Sequence, residues 1–541
     1  MIPVETAEQI IPWLSDGFLR SLHRFPDRAA LYADNALWTY ESLGRMAGGV
    51  AAAIQNVDRD NNPLVGILAH RSVTAYAGVL GTLLAGKGYV PLNPKLPMGR
   101  LAKILLQSRS RTLIVGKEAA HLLDPLLQQI AHSIVVLYPT SEQAVMPRLG
   151  IGPHRLILFE KAPQEQTFIL RAAANHNTIA YLLFTSGSTG EPKGVPVRYG
   201  NVRSYVQYIC RRYEVSEHDR FSQMFDLSFD LSVHDMLVCW ERGACLFSVP
   251  EHAVMAPAKF IRDHQITMWF SVPSVVGVML QLGVLKPGSL PSLRGSLFCG
   301  EPLPARYAGA WQEAAPNSFV ENVYGPTETT IAISHYRWDP DNSPQACLNG
   351  IVPIGWIFEG QRACLVPTDH LHPEANSGEI GELCLAGSQV TTGYWNDPDK
   401  TTKQFVRLQD RGEALWYRTG DLVKQDGEGC MYYLGRVDHQ VKIMGHRVEL
   451  QEVEAVLRIA AEIEQVASVP WPVEDGLARG IVAFIAGTPA RDAAELLQVC
   501  RERLPDYMVP KRICRIDALP LNLHGKTDRQ QLIHLLEEGD Q

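Results

Sequence analysis

The stretch Tyr181–Val197, "YLLFTSGSTGEPKGVPV", decides how the chain is read. An apolar run ending at Phe184 gives way to small or turn-forming residues, Thr185 to Gly190, and Lys193 then arrives between Pro192 and Gly194. A short apolar run closed by glycine reads as a strand. Successive N–H groups of a Gly/Ser/Thr loop can converge on an anion, the hydroxyls add donors, and a lysine adds a point charge. Phosphate binding by Thr185, Ser186, Gly187, Ser188, Thr189, Gly190 and Lys193 is the functional reading, and a flexible connection between strand and helix is the bland one. The loop is not a Walker A motif, because Gly194 rather than Ser or Thr follows Lys193.

Outward from this loop, short apolar runs ("PLVGILA", "RTLIVG", "SIVVLY") alternate with helix-like stretches such as "TAYAGVLGTLLAG". The pattern continues to about residue 340 through "GACLFSV", "ITMWFSV" and "GSLFCG". Strands interleaved with helices imply a largely parallel sheet covered on both faces. From about 350 to 435 short strands and Gly/Asp/Asn turns dominate, which reads as a β-rich subdomain. After "GRVDHQVKIMGHRVEL" a helix-like, strand-like, helix-like succession reads as a small α+β domain beginning near Asp438. The chain has 541 residues, beyond the roughly 250–300 that one core supports.

Composition excludes several classes. Hydrophobic content of 46% and charged content of 20% are those of an ordinary soluble globular protein. A net charge of −8 with no basic cluster gives no footprint for nucleic acid. No run is long and apolar enough for a membrane span, and the N-terminus lacks a signal-peptide layout. Ten scattered cysteines without a CxxC pair read as buried, reduced thiols of a cytoplasmic protein.

The motif "FTSGSTGEPKGV" resembles the signature loop of the adenylate-forming superfamily, which includes acyl-CoA synthetases, luciferase and nonribosomal-peptide adenylation domains. Further resemblances follow in the family order: "LAGKGYVPLNP" (Leu84–Pro94), "NVYGPTETT" (Asn322–Thr330), "YRTGDLV" (Tyr417–Val423), "GRVDHQVKIMGHRVELQEVE" (Gly435–Glu454) and "LPLNLHGKTDR" (Leu519–Arg529). The expected fold is therefore α/β. A large N-terminal domain, residues 1–437, would have two helix-flanked mostly parallel sheets plus a small β-barrel subdomain at about 350–435. A small mobile C-terminal α+β domain would span 438–541.

The resemblance implies a ligase that uses ATP and Mg2+ to convert a carboxylate into an acyl adenylate, with release of pyrophosphate, and then transfers the acyl group to a thiol. Two anions must meet, so charge has to be neutralised and aligned. By resemblance the Thr185–Lys193 loop holds the outgoing phosphates, Thr327 contacts the α-phosphate, and Glu328 binds magnesium. Gly300, Glu301, Pro302, Asn322, Val323, Tyr324 and Gly325 line the nucleotide site, with Tyr324 offering an aromatic face to adenine. Asp421 accepts the ribose hydroxyls, and Arg436 is a second ribose or phosphate contact. Lys526 bridges the substrate carboxylate and the α-phosphate. Because Lys526 lies far along the chain from the phosphate loop, a hinge is implied, and Asp438 resembles the hinge residue. In the second pose Lys526 withdraws and the segment around Gly445 faces the pantetheine tunnel.

Asp230, in "SFDLSVHDM", matches the position where amino-acid adenylation domains place a carboxylate for the substrate ammonium; a helix cap before "SVHDML" is the alternative. The other positions that line the family's pocket align to Leu231, His234, Ser271, Leu297, Cys299, Val323, Ile331 and Ala332. This wall has no formal charge, so a charged side chain would lack a counter-ion and a small to medium neutral amino acid is expected. The texture of "FDLSFDLSVHDM" and "YVPLNPK" resembles stand-alone L-proline ligases that load a carrier protein, in the chemistry of nonribosomal-peptide and antibiotic biosynthesis. Other small or β-amino acids, and an acyl-CoA synthetase, stay open. No carrier motif follows Lys526, so a separate carrier protein with a phosphopantetheine arm is the expected partner; nucleic acid and membrane are not.

Overall fold

A computed structural model describes residues 14–57, 61–147, 150, 152–162, 174–187, 191–367, 380–438, 440–521 and 527–539. The runs that read as strands are strands. "LVGIL", "TLIV" and "GSLF" are buried along their whole length, because in a parallel sheet both faces are covered by helices.

Two sheets build the large N-terminal part. One has seven strands, in the spatial order Arg155–Phe159, Val135–Pro139, Thr112–Val115, Leu64–Leu68, Gly88–Pro91, Ile179–Thr185, Lys193–Arg198. All its neighbours are parallel except the last two, which pair antiparallel with Thr185 opposite Lys193. The opening loop therefore turns between two strands, not from a strand into a helix. The other sheet has nine strands. Its parallel centre runs from Phe319–Tyr324 through Gly295–Phe298, Met268–Ser271, Arg220–Gln223 and Cys245–Ser248 to Ala29–Ala33. Antiparallel strands close both edges. One apolar cluster joins the two sheets: Tyr40, Val50 and Tyr181 pack in the same core as Trp240, Phe270 and Trp311.

The β-rich region is a five-stranded antiparallel sheet around the long strand Leu415–Gln425. That strand pairs with Ile380–Gly387 on one edge and with both Phe405–Arg407 and Met431–Arg436 on the other. Among the described residues this subdomain is a branched sheet, one edge of its long strand being shared by two short partners. The last part has its own apolar clusters, one around Val448, Leu457 and Ile485 and one around Val482, Phe484 and Leu532. It contains a four-stranded sheet, with Gln440–Ile443 and His446–Glu449 as a hairpin, and a three-stranded sheet carrying Leu450–Ala461 and Ala493–Arg503. All ten cysteines are free thiols, eight of them buried, as the sequence suggests. No helix among the described residues is long and apolar enough to cross a membrane.

Candidate active site

In open α/β sheets, ligands bind beyond the carboxyl ends of the strands. Here Thr185, Cys299 and Tyr324 stand at or just after such ends, and they line one cavity of about 150 Å³ together with Asp230, Asp421 and Arg436. The strands fix the backbone, so side chains far apart in sequence converge.

One end of the site is cationic with a single carboxylate at its centre. Glu328 sits fully buried on the short turn Thr327–Thr329. Its Oε1 accepts from the Tyr394 hydroxyl at 2.8 Å and lies 3.4 Å from Lys193 Nζ, while Arg447 Nη1 donates to Oε2 at 3.0 Å. Burial alone would raise its pKa, but Arg447 and then Lys193 outweigh that and hold it at about 2. Lys193 shows the opposite balance: burial first, and Arg447 next, lower its pKa to about 8 in spite of Glu328. A lone buried carboxylate suits magnesium, which takes one or two carboxylates and fills the rest of its shell with phosphate and water. Among the described residues no three His, Cys, Asp or Glu side chains gather as a metal cage.

The other end is organised around Asp421. The strands Leu415–Gln425 and Met431–Arg436 place Asp421 directly opposite Arg436. Arg436 Nη1 donates to Asp421 Oδ1 at 2.6 Å, and the Tyr324 hydroxyl donates to Oδ2. Arg436 also grips Asp438 with two donors, at 2.6 and 2.7 Å. Asp421 is thereby held in one orientation with its charge partly matched, a ready acceptor for a pair of hydroxyls. Tyr324 also borders a smaller cavity with Gly300, Pro302, Asn322, Val323 and Gly325. Asn322 spends its amide on the carbonyls of Val352 and Pro353, so it shapes this cavity's wall rather than reaching into it.

Asp230 projects from the wall between these ends. Its carboxylate does not cap the helix that follows; Oδ2 accepts instead from Ile331 N at 3.2 Å. Thr330 and Ile331 both hold positive φ, +61° and +72°. For a β-branched residue this is strained, by about 1–3 kcal/mol, and here the strain points an amide at a buried carboxylate. Burial lifts the Asp230 pKa to about 6, although the Ile331 amide and the Thr327 side chain both favour the anion. The carboxylate is thus short of a cation.

The hairpin Gln440–Ile443/His446–Glu449 closes the mouth of the cavity. Its two-residue turn, Met444 and Gly445, has φ of +49° and +82°, the left-handed pair that tight hairpins need. Gly445 N donates to Glu301 Oε1 at 2.7 Å, and Ser186 Oγ donates to the Arg447 carbonyl at 2.6 Å. A Cβ on Gly445 would lie 2.4 Å from Val272 Cγ1, so only glycine fits at this contact. Arg100 pairs with Glu452 nearby. Beside the hairpin a second cavity of about 460 Å³, lined by Arg71, Ser271, Met444, His446 and Tyr507, shares Phe229, His446 and Tyr507 with the first.

Residues 18–395 match the AMP-binding enzyme family, and residues 452–526 match the AMP-binding enzyme C-terminal domain. The chain belongs to the AMP-binding enzyme family. An L-proline–[L-prolyl-carrier protein] ligase of Pseudomonas fluorescens is 31% identical over 97% of this chain and 99% of its own length. Tyrocidine synthase 3 of Brevibacillus parabrevis is 32% identical over 96% of this chain, which spans only 8% of that protein. The crystal structure of the Vibrio cholerae adenylation domain AlmE in complex with glycyl-adenosine-5′-phosphate superposes with a TM-score of 0.88 at 33% identity, covering 99% of this chain and all of that one.

In this AMP-binding enzyme the expected residues fall into groups. Thr185, Ser186, Tyr324, Gly325, Thr327, Asp421 and Arg436 meet around the main cavity, with Lys193 and Glu328 buried against each other beside it. Ser188, Thr189, Gly190 and Lys526 lie outside the described residues, while Gly187 is described. Glu301 borders the smaller cavity as well, and its two oxygens hold the amides of Ser274 and Gly445. Of the nine expected pocket residues, Asp230, Leu231 and Cys299 line the main cavity, Val323 the smaller one and Ser271 the second one. His234, Leu297, Ile331 and Ala332 line none of the three. The sequence reading missed Tyr394 and Arg447. "GHRVE" carries an arginine beside the turn glycine, a usable signal; Tyr394 has none, because its partner Glu328 lies on another element.

Proposed function

We propose that the chain activates a small neutral amino acid with ATP and transfers it to the phosphopantetheine thiol of a separate carrier protein. The observation that carries this reading is Asp230, a buried carboxylate without a cation, set in the wall of the cavity that also holds Asp421 and Arg436. An ammonium group beside Asp230 supplies the missing charge, and a carboxylic acid without an amine leaves it unpaired, at a cost of about 3–5 kcal/mol.

In the first step an oxygen of the amino-acid carboxylate bonds to the α-phosphorus. The bond from that phosphorus to the bridging oxygen breaks, and pyrophosphate leaves. Lys193 and the loop Thr185–Gly190 neutralise the leaving phosphates, Thr327 meets the α-phosphate, and Asp421 with Arg436 holds the ribose. The adenine lies between Tyr324 and the wall of Gly300, Pro302, Asn322, Val323 and Gly325. Magnesium, when bound, supplies further positive charge to the phosphates, and Glu328 would hold it once Arg447 has moved away. Lys526 bridges the reacting carboxylate and phosphate in this step.

In the second step the thiol sulfur bonds to the acyl carbon, the bond from that carbon to the AMP oxygen breaks, and the thiol proton goes to solvent. The docked hairpin suits this step. Gly445 lets the hairpin close on Val272 and Glu301, the second cavity gives the pantetheine arm a path, and Arg447 holds Glu328, the carboxylate that would hold magnesium in the first step. We assign the division at residues 437 and 438 and the hinge at Asp438, whose two bonds to Arg436 tie the pivot to the ribose site.

L-Proline is the amino acid the sequence points to, and the full-length Pseudomonas fluorescens ligase supports it. The glycyl adenylate held by the Vibrio cholerae domain supports a smaller one. The test is ATP–pyrophosphate exchange with L-proline, glycine, L-alanine, β-alanine and a short fatty acid. Exchange that depends on an amino acid supports the reading. Exchange with the fatty acid alone, or a product formed with coenzyme A and not with a holo carrier, makes the chain an acyl-CoA synthetase.

A further inference from the structure

Arg100 and Lys103 stand three residues apart on the helix Met98–Ser108, and so on one face. That face runs along the loop that follows Thr185. Lys103 Nζ lies 2.8 Å from Glu191 Oε1, at the far end of the loop. Arg100 borders the main cavity together with Thr185 and Ser186, at the near end. Lys103 and Glu191 are both half exposed, so their pairing is weak. Arg100 is different, because its side chain keeps only 8% exposure.

A guanidinium so deeply placed needs an anion. Among the described residues its one ion pair is with Glu452, whose Oε1 accepts from Nη1 at 2.5 Å. Glu452 belongs to the last domain, on the helix Leu450–Ala461, and its own side chain is buried. Burial raises the Glu452 pKa, while Arg100 and then the Gly187 amide oppose it. The carboxylate therefore sits against an amide of the loop we assign to the outgoing phosphates. It fits there imperfectly, since Oε2 is buried with no hydrogen-bond partner. The last domain covers two more groups of the same site: Ser186 Oγ donates to the Arg447 carbonyl, and Arg447 donates to Glu328.

We infer that Arg100 is a further phosphate-binding residue, which grips the outgoing pyrophosphate in the first step and passes to Glu452 when the last domain docks. The inference rests on the two-step ligase reading above. Arginine offers a planar fork of donors that matches phosphate oxygens two at a time. In the pose of the first step Glu452 has moved off with its domain, and Arg100 then faces the phosphate loop without its carboxylate. Pyrophosphate and Glu452 thus compete for one guanidinium, so docking and thiol transfer follow the departure of pyrophosphate.

The test uses the full chain and whichever amino acid supports the fastest exchange. Pyrophosphate concentration is varied for the native protein, Arg100→Gln, Arg100→Lys and Glu452→Gln, and single-turnover transfer to a holo carrier is followed on the same preparations. Arg100→Gln is expected to raise the KM for pyrophosphate at least about tenfold, the worth of one charge-assisted contact, with the KM for the amino acid within about twofold of native. Arg100→Lys, which keeps the charge and loses the fork, should fall between. Glu452→Gln removes the competitor, so its KM for pyrophosphate should drop below native while transfer slows. A KM does not depend on how much of a variant is folded, and a merely structural pair would slow transfer in both variants without moving it. A native KM for pyrophosphate in Arg100→Gln, or shifts in the same direction in Arg100→Gln and Glu452→Gln, overturns the inference and leaves the ligase reading standing. Exchange with no amino acid at all overturns both.

Discussion

Replacing Gly445 by alanine puts a single methyl group at the contact between the hairpin and the large domain, and its two consequences separate cleanly. The first is local. Gly445 has φ +82°, and a left-handed conformation costs an L-residue roughly 1–2 kcal/mol wherever the hairpin stands. The second exists only in the docked arrangement. The new Cβ would lie 2.4 Å from Val272 Cγ1, far inside van der Waals contact, and relieving such overpacking costs about 1–3 kcal/mol. Only the second term shifts the docking equilibrium, by roughly 5–150-fold. Thiol transfer, which we assign to the docked arrangement, should fall by that factor. Amino-acid-dependent pyrophosphate exchange should stay within about twofold, since an exposed methyl on an intact hairpin costs little elsewhere. The assay runs both half-reactions on one preparation, with hydrogen exchange at the Gly445 amide, bonded to Glu301, as a direct reading of docking. Equal losses in both half-reactions, or full transfer with an unprotected amide, would refute the argument.

Asp230→Asn should reduce amino-acid-dependent exchange at least about a hundredfold, from the loss of a desolvated charge pair, while calorimetry still detects ATP binding. Because burial lifts the Asp230 pKa from 3.8 to about 6, the empty fold favours its protonated form. Stability carried by that proton is full at low pH and is lost as pH rises through about 6, so Asp230→Asn should be more heat-stable than the native protein at pH 7 and no more so at pH 4. For the same reason the KM for the amino acid, read from exchange, should climb as pH falls below about 6 while the KM for ATP does not. Glu301→Ala strands the amides of Ser274 and Gly445, each worth about 1–3 kcal/mol when buried and unpaired; differential scanning should show a lower Tm, and transfer should fall more than exchange. A Glu301→Ala variant that loses exchange before transfer would refute this split.

Much of the site was legible before any coordinates. Asp421 and Arg436 face each other because the turn between them is short and strand pairing sets their register. The loop we assign to the phosphates announced itself through glycine and lysine, and its place after an apolar run was enough to put it at a strand's carboxyl end. The alternative, a connection from strand into helix, gives way to a second strand, Lys193–Arg198, whose proline is tolerated because the strand lies at the sheet edge. Glu301 illustrates the other limit. "CGEPLP" says that a carboxylate follows a strand, but the amides it holds are 27 and 144 residues away, and nothing local announces them.

The sequence by itself determined the alternation of strand and helix, the uncharged character of the residues expected around the amino acid, the carboxylate at 230 and the glycine at 445, because each is a property of one residue or one short run. Only the tertiary structure decided which of those residues border a cavity. Whether His234 borders a cavity or packs into the core depends on where Tyr205 and Phe270 stand, on a separate helix and a separate strand. Whether Arg447 meets solvent or Glu328 depends on how the last domain docks, across 119 residues of chain. Those distances are set by packing of the whole core, and composition along the chain carries no measure of them.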